Sequence, residues 1–243
     1  MMGQTVPGTQ VKQRREGLEP LLSKESFEKL ESIMYKRSAE KGSCLFWEGD
    51  PADKLYFIIE GRVRTTKTSD SGRALTLYLH HEGDLVGQMD PFQDSVHSFS
   101  AEVMEDSKVG VIQRKDLEVL LWQHGDLAVE FMKWMGLMHR LTQTKFRDLM
   151  MFGKTGALCS LLIRLGNSYG TEREEGIYID LKINNSEMAD MIGATRESVN
   201  RMLSDLKKED VIETVDGHVI IKDLHYLRDI CHCENCPKEI CRM

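Results

Sequence analysis

The last thirteen residues of the chain, CHCENCPKEICRM, hold four of its six cysteines and are called the cysteine tail below. Cys233, Cys236 and Cys241 follow a Cys-x2-Cys-x4-Cys spacing, and Pro237 directly follows the middle cysteine. A Cys-x2-Cys turn lets both sulfurs face one centre, and soft thiolates select zinc or iron–sulfur clusters over hard cations. Three cysteines hold a cluster if a fourth ligand comes from elsewhere, whereas four close a structural zinc site. The chemistry of these residues alone leaves both kinds of centre open.

A helix-turn-helix pattern occupies Asn185–Leu206. Ala189 is small where two helices would cross, Gly193 supplies the turn, and Val199 is apolar six residues later. Thr195 is the predicted N-cap of the second helix. The residues predicted to form the buried faces are Met188, Ile192, Leu203 and Leu206. This spacing favours a DNA-binding pair of helices over a purely structural pair.

The second helix of this pattern begins with four polar residues on one face: Arg196, Glu197, Asn200 and Arg201. Arginine donates two hydrogen bonds to guanine O6 and N7, and glutamate accepts one from cytosine N4. The start of a recognition helix is also the end that enters the major groove. The alternative is an exposed Arg–Glu salt bridge, worth about 0–1 kcal/mol.

The overall charge excludes binding to nucleic acid by bulk attraction, because 32 basic and 39 acidic side chains give a net charge of −7. Any DNA contact must therefore come from a local patch. Between Arg196 and Lys208 there are four basic and two acidic residues, which is a modest patch. A single module of this kind would bind weakly, so the sequence favours a dimer on palindromic double-stranded DNA.

The N-terminal half of the chain predicts a β-roll within an α+β protein. Apolar runs such as Leu55–Ile59 and Ala74–Leu79 alternate with glycine-containing turns, as in a small barrel or roll rather than a parallel sheet with crossover helices. A short helical segment near Leu21–Met34 precedes them. We therefore predict an N-terminal helix and a sensor-type roll over residues 1–125.

A helical period replaces the strand pattern after Gly125, and residues 126–152 predict one long helix. This helix packs either on a second copy of itself or on the core of its own subunit. We favour the second copy, which makes a homodimer. The apolar residues recur at steps of three and four, as in a seam between packed helices: Leu127, Phe131, Trp134, Met138 and Leu141.

The remaining chain predicts two further parts. Residues 153–222 form a winged helix-turn-helix domain, called the DNA-binding unit below. Its hairpin, VIETVDGHVII, contains the tight-turn signal Asp216-Gly217. Residues 223–243 form a last short helix and the cysteine tail.

Several other classes of protein are disfavoured. Met1–Gly17 is polar and lacks the apolar core of a signal peptide, so we expect a cytoplasmic protein, in which thiols stay reduced. The apolar stretches are shorter than the roughly 20 residues that span a bilayer, so no membrane association is expected. No catalytic acid–base set or substrate cradle accompanies the cysteines, which argues against an enzyme or electron carrier. His80, His81 and His97 are interpreted as ordinary surface or core residues.

A β-roll, a long interface helix and a winged helix-turn-helix, in that order, resemble the CRP/FNR family of bacterial transcription regulators over nearly the whole chain. The string RESVNRML (Arg196–Leu203) is similar to the family's recognition helix of the CRP type. The resemblance implies a roll like a cyclic-nucleotide-binding domain, and activation through contact with RNA polymerase. It also implies a half-site similar to TGTGA, paired across about six base pairs with its inverted copy TCACA. Arg196 and Arg201 would contact guanines, and Glu197 a cytosine on the opposite strand.

The same resemblance bears on the ligand of the roll. Cyclic-nucleotide binders of the family carry a glutamate for the ribose and an Arg-Ser pair for the cyclic phosphate. In Gly83–Glu102, Gln88 stands where the glutamate is expected, and the stretch contains no arginine. It therefore lacks a bidentate phosphate clamp, and we expect no cyclic nucleotide.

The string CENCPKEIC (Cys233–Cys241) resembles the C-terminal cluster motif of the oxygen-responsive Bacillus-type Fnr branch, and EFMKWM, KFRDLM and LIRLGNSYG match as well. The enteric branch places its ligand cysteines before the roll, where residues 1–43 contain none. The resemblance implies one [4Fe-4S] cluster per subunit, held by three tail cysteines and one aspartate. It implies activity without oxygen, on genes of anaerobic respiration or fermentation. The ligands so implied are Cys233, Cys236, Cys241 and Asp148.

Asp148 also stands out by its helical position. It lies seven residues beyond Leu141 and so continues the apolar seam, where a carboxylate is costly unless it is paired or bound to a metal. The alternative is an ion pair with Lys145 near a solvated helix end. Other candidates for the fourth ligand remain, although Cys159, like Cys44, is more typical of a small buried hydrophobic residue. They are Cys231, Cys159 and His232.

Overall fold

The computed structural model describes Leu18, residues 21–90 and residues 94–243. The polar segment Met1–Gly17, on which the expected compartment rests, lies outside these residues. The N-terminal elements are α1 (Lys24–Ser32), β1 (Met34–Ala39), β2 (Cys44–Phe46), β3 (Lys54–Glu60), β4 (Val63–Thr68), β5 (Ala74–His80), β6 (Leu85–Gly87), β7 (Ser100–Val103), β8 (Ser107–Gln113) and α2 (Arg114–Gln123).

These strands form the predicted β-roll. Two four-stranded antiparallel sheets, ordered β1-β8-β3-β6 and β2-β7-β4-β5, face each other across an apolar core. The turn after β3 requires glycine, because Gly61 has a φ of 99° and a Cβ there would collide with the Ser107 side chain. The α2 helix was not predicted. Its N-cap, Gln113, makes no side-chain capping hydrogen bond, so the sequence carries no start signal for it.

The long helix α3 (Gly125–Tyr169) is interrupted once, at Gly153, where φ is 60° and ψ is −163°. The predicted break after Phe152 is therefore present, and helical structure resumes directly beyond it. A positive φ combined with a ψ near 180° is adopted essentially only by glycine, so this residue permits the kink. The kink separates the part of α3 that contacts the roll from the part that belongs to the DNA-binding unit.

The predicted seam of α3 packs on the roll of its own subunit. Leu127, Phe131 and Trp134 are buried in one cluster with Leu55 and Leu117. The interpretation of these residues as a seam between two copies is therefore wrong, and the alternative, a core helix, is correct for them. The opposite face is exposed and apolar, and it carries Val129, Met132, Met135, Phe146 and Met150. The periodicity could not distinguish the face that packs on the roll from the face left exposed, because both faces of this helix are apolar.

By length and composition alone, α3 is long and apolar enough to cross a membrane. This differs from the expectation that no apolar stretch of the chain is long enough to do so. The most apolar 18-residue window of the helix has 56% of its residues buried inside the protein. Packing within the fold therefore accounts for much of its hydropathy.

The C-terminal elements are β9 (Gly170–Arg173), β10 (Gly176–Ile179), α4 (Asn185–Met191), α5 (Arg196–Lys208), β11 (Ile212–Val215), β12 (His218–Ile221) and α6 (Leu224–Ile230). The strands form one sheet in the order β11-β12-β10-β9. The predicted hairpin is β11-β12, and Asp216 and Gly217 have φ values of 50° and 82°, as a type I′ turn requires. A second hairpin, β9-β10, lies before α4 where the sequence indicates only a turn containing glycine and glutamate. Its partner strand β12 is distant in sequence, so local patterns did not reveal it.

Candidate metal centre and nucleic-acid interface

The cysteine tail begins where α6 ends, with Cys231 as the C-cap. His232 and Asn235 have φ values of 44° and 52°, in the left-handed region. Asparagine is among the few residues that adopt this conformation readily, and Asn235 lies between Cys233 and Cys236. The Cys-x2-Cys segment is therefore a tight turn, as its chemistry requires.

The three predicted tail ligands and Asp148 line one small cavity of about 20 Å³, roughly the space of one water molecule. The tail contributes its cysteines, and Asp148 comes from α3, on the roll side of the Gly153 kink. The other residues that line the cavity are Thr144, Arg147, Ser160, Ile163, Arg164, Cys231, Glu234 and Ile240. Tertiary structure thus brings together residues that are more than eighty positions apart in the chain.

The cavity is not a finished site for a single ion. Within residues 21–90 and 94–243, no three Cys, His, Asp or Glu side chains are arranged to hold one metal ion. A zinc ion needs all four of its ligands around one point, whereas an iron–sulfur cluster distributes its ligands over separate irons. Three thiols and one carboxylate beside two arginines are donor types suited to a soft metal centre, and a cavity of about 20 Å³ would have to widen to admit a cluster of several irons.

Asp148 is 2% exposed, and it does not pair with Lys145. The Nε and Nη2 atoms of Arg147 donate to its Oδ1 at 3.0 and 2.6 Å. The Nη2 atom of Arg164 donates to its Oδ2 at 3.0 Å, and Ser160 donates to the same oxygen. Lys145 instead donates to the Leu77 carbonyl at 3.2 Å. The predicted alternative of a Lys145 pair at a solvated helix end is therefore wrong.

These contacts satisfy a charge that burial would otherwise make very costly. Both carboxylate oxygens accept two hydrogen bonds each. Coordination of a metal by Asp148 therefore requires at least one of these donors to give way. Arg164 is itself 4% exposed, so the two arginines would remain beside any anionic centre and offset its negative charge.

Burial controls the chemistry of the thiols. It raises the pKa of Cys241, and the positive charge of Arg164 partly opposes this shift. It raises the pKa of Cys231 to about 12, with a further contribution from Cys233. A thiol must lose its proton to bind a metal, so any metal binding at this cavity would release protons and would weaken as pH falls.

The alternative fourth ligands occupy different places. Cys231 is buried and lines the same cavity, so it remains a candidate. Cys159 is fully buried in the core of the DNA-binding unit, as predicted for a small hydrophobic residue, and burial raises its pKa to about 12. His232 lines a separate surface cleft, and its ring stacks on Phe152 with centroids 4.9 Å apart.

Contacts of the protein alone also attach the tail to its surroundings. The Nη1 atom of Arg164 donates to the Ile240 carbonyl at 3.1 Å, and Asn167 donates to the Cys241 carbonyl at 2.7 Å. Arg147 pairs with Glu234 at 2.6 Å. The sequence did not predict Arg147, Arg164 or Asn167 as part of the site. Arg164 and Asn167 lie in the stretch LIRLGNSYG, whose match to the Bacillus-type branch was the only signal available.

The helix-turn-helix forms as its sequence predicts. Asn184 and Glu187 make a capping box at the start of α4, and Thr195 caps α5 by accepting a hydrogen bond from the Ser198 backbone at 3.2 Å. Gly193 has a φ of 61° in the turn. The residues predicted to be buried are buried: Met188, Ala189, Ile192, Val199, Leu203 and Leu206.

The four candidate base-contacting residues, Arg196, Glu197, Asn200 and Arg201, are exposed on the first turns of α5. Asn200 accepts a hydrogen bond from Asn185 at 3.2 Å. In the part of the chain that the structure describes, no ion pair engages Arg196, Glu197 or Arg201. The alternative of a surface salt bridge between Arg196 and Glu197 is therefore not formed, and these groups are available to a ligand.

In the roll, the side-chain Oε1 atom of Gln88 accepts hydrogen bonds from the backbone N–H and the hydroxyl of Ser98 at 3.0 and 2.9 Å. Residues 91–93, within the stretch Gly83–Glu102, lie outside the described residues. The three histidines are buried. Burial lowers the pKa of His80 to about 3, and His97 stacks on Phe46 with centroids 3.6 Å apart.

Comparison with known protein families gives two matches. A model described as "Cyclic nucleotide-binding domain" matches residues 36–124, and one described as "Crp-like helix-turn-helix domain" matches residues 156–230. The protein described as "Anaerobic regulatory protein" of Bacillus subtilis (strain 168) is 46% identical over 225 residues, which cover 92% of this chain and 94% of that protein.

Solved structures of similar fold include a CooA mutant from Carboxydothermus hydrogenoformans, with a TM-score of 0.75 and 22% identity over 89% of this chain and 96% of that one. FixK2 from Bradyrhizobium japonicum has a TM-score of 0.69 and 19% identity over 82% of this chain and 97% of that one. At these identities the likeness concerns the fold.

Proposed function

This chain belongs to the CRP/FNR family of bacterial transcription regulators, and from that premise we propose that it is an oxygen-responsive regulator that binds DNA as a homodimer in the cytoplasm. The observation that carries the proposal is the cavity at which the three tail cysteines meet Asp148 of α3. The similarity to an anaerobic regulatory protein supports the direction of the response. Its relatives are transcription regulators, so no enzymatic activity is proposed.

Cys233, Cys236, Cys241 and Asp148 would hold one [4Fe-4S] cluster per subunit. When bound, such a cluster supplies a link between these side chains that oxygen destroys. The thiols supply soft ligands, and Asp148 supplies one harder oxygen ligand. Arg147 and Arg164 offset the negative charge of this ligand set.

The position of these residues supports a way in which such a link would control DNA binding. Asp148 precedes the Gly153 kink, whereas Arg164 and the tail belong to the DNA-binding side of it. Linking the tail to Asp148 limits rotation of the DNA-binding unit about the kink. Without the link, only the protein's own contacts hold the tail to the long helix, so the range of orientations would widen and fewer molecules would present both recognition helices to one face of DNA.

The proposed target is a palindrome similar to TGTGA and TCACA separated by six base pairs, as expected for the recognition helix of the CRP type. Arg196 and Arg201 would bind guanines, Glu197 a cytosine, and Asn200 lies beside them. Binding without oxygen would activate genes of anaerobic respiration or fermentation through contact with RNA polymerase. No cyclic nucleotide takes part in this proposal.

The proposal is tested by purifying the full chain without oxygen, measuring its iron, sulfide and zinc, and following its visible absorption and DNA binding on exposure to air. Iron and sulfide in equal amounts, a brown colour that bleaches in air, and parallel loss of palindrome binding are expected. One zinc per chain in colourless protein would eliminate oxygen sensing by the tail while retaining the regulator. Redox turnover without sequence-selective DNA binding would instead favour an electron carrier.

Arg201→Ala is expected to weaken binding to the intact half-site by about 1–3 kcal/mol, because one bidentate contact to guanine is lost. The preference for that base pair should relax, and the metal content should not change. Competition binding with single-base variants of the palindrome measures both effects. Lys208→Ala, at the other end of the same helix, is the matched control and should leave the base preference intact. An unchanged preference in Arg201→Ala would refute the assignment.

Met132→Glu is expected to convert the dimer to a monomer, because Met132 is 63% exposed on the free apolar face of α3 and a charge buried in a dimer interface is costly. Affinity for the palindrome should fall to that for a single half-site. Sedimentation and DNA binding measure the two effects. Val119→Glu is the control: Val119, on α2, is apolar and similarly exposed at 54%, and its replacement should leave the dimer intact. A dimer that survives Met132→Glu but not Val119→Glu would locate the interface on α2.

A further inference from the structure

The cysteine tail does not end at its last cysteine, and its two final residues make contacts of their own. The Nη2 atom of Arg242 lies 3.4 Å from Oδ1 of Asp84, in the roll. Both side chains are largely buried, with exposures of 12% and 7%. The Met243 backbone donates to the Ser168 hydroxyl of the DNA-binding unit at 3.0 Å. The end of the chain thus contacts two domains at once.

Asp84 is built into the roll at the turn before β6. Its other oxygen, Oδ2, accepts a hydrogen bond from the His81 backbone at 2.9 Å. Burial raises the pKa of Asp84, and Arg242 opposes that shift, so the guanidinium stabilises the charged carboxylate. Removing Arg242 would leave a buried charge without its partner.

The same turn contacts the DNA-binding unit directly. The Tyr169 hydroxyl lies 2.7 Å from Nε2 of His81, and the two rings meet edge to face with centroids 5.2 Å apart. Leu79, at the end of β5, is buried in the core cluster of the DNA-binding unit. The turn of residues 81–84 is therefore part of the interface between the roll and the DNA-binding unit.

Arg242 follows Cys241 directly, and the Cys241 carbonyl is held by Asn167. Any displacement of Cys241 therefore moves the Arg242 side chain by way of a single peptide unit. We propose that Arg242 is a latch through which the cysteine tail holds the roll against the DNA-binding unit, so that the state of Cys241 is transmitted to Asp84. The inference rests on the proposed function in one respect only, which is that loss of the proposed cluster would displace Cys241.

Hydrogen–deuterium exchange of the full-length chain tests the latch without requiring any bound metal. Arg242→Gln and Asp84→Asn are each expected to raise exchange about five- to tenfold in the peptide covering residues 81–85 and in the one covering residues 164–170. Asp84→Asn keeps an oxygen that can accept from the His81 backbone, and Arg242→Gln keeps a polar end and much of the length of the side chain, so both variants should fold. The double variant should exchange no faster than either single one, because the two groups act as a pair.

Arg242→Lys retains the charge and should recover part of the protection. Arg228→Gln is the matched control, since Arg228 is exposed on α6 and makes no ion pair among the described residues. Faster exchange confined to residues 233–243, or additive effects in the double variant, would overturn the proposal.

A second measurement separates this inference from the proposed function. In protein loaded with iron and sulfide, Arg242→Gln should keep the iron content of the parent and reduce the ratio of palindrome affinities between the loaded and air-exposed forms. If the parent itself shows no such ratio, the oxygen-responsive function fails, and the exchange experiment still decides whether the latch exists. A variant with the full ratio of the parent would show that the latch does not transmit the state of the tail.

Discussion

Cys236→Ser is expected to abolish iron and sulfide binding and, with them, anaerobic binding to the palindrome, while the dimer survives. Serine has nearly the shape of cysteine, but its hard, protonated hydroxyl is a poor ligand for an iron–sulfur cluster. Cys236 is only half-buried, so its replacement should cost little in folding free energy. Iron and sulfide analysis, visible absorption, sedimentation and DNA binding under anaerobic conditions measure these outcomes.

Cys44→Ser is the control for this substitution. Cys44 is also half-buried, but it lies in β2 of the roll, away from the cysteine tail. It should keep the cluster and the DNA affinity of the parent. If Cys236→Ser bound DNA as well as the parent, the tail would not be the switch, whatever metal it holds.

Asp148→Ala is expected to lower the free energy of unfolding by about 3–5 kcal/mol, because it leaves the buried guanidinium of Arg164 without its counter-ion. The anaerobic yield of cluster should fall as well if Asp148 is a ligand. Asp148→Asn separates the two effects. The amide keeps one oxygen acceptor and the shape of the side chain, so the loss of stability should be smaller, whereas the loss of an anionic iron ligand should be as severe.

Chemical denaturation and iron–sulfide analysis of both variants measure these effects. Glu60→Ala removes one partner of an exposed pair with Lys108 and should cost about 0–1 kcal/mol. Full cluster yield in Asp148→Asn would show that Asp148 is an ion-pair partner and not a ligand. Cys231, which lines the same cavity, would then become the fourth ligand to test.

The parts of the fold that the sequence predicted well are those whose signals are local. The caps of α5, the glycine of the helix-turn-helix and the Asp216-Gly217 turn lie within a few residues of the structure they specify. The sequence lacked such a signal for α2, whose N-cap makes no side-chain hydrogen bond, and for β9-β10, whose pairing partner β12 is distant. Pairings across a long loop depend on the entire fold and leave no local trace.

The partner of the long helix was decided only in three dimensions. Its apolar residues satisfy a helical period on two faces, and periodicity identifies a buried face without identifying what covers it. Leu127, Phe131 and Trp134 pack on the roll, and the face carrying Met132 and Phe146 is left exposed. The seam that indicated a second copy thus belongs to the subunit, and a dimer requires the other face.

By itself the sequence identified the family, the recognition helix and the three candidate ligands Cys233, Cys236 and Cys241. Each of these depends on residue types at short and fixed spacings. It also marked Asp148 as unusual, since a carboxylate interrupted an apolar period. Only the tertiary structure decided what surrounds that carboxylate: Arg164 beyond the kink, Arg147 beside it, and the tail cysteines across the cavity. A buried charge is tolerated only where the fold supplies its partners, and here those partners converge from separate parts of the chain.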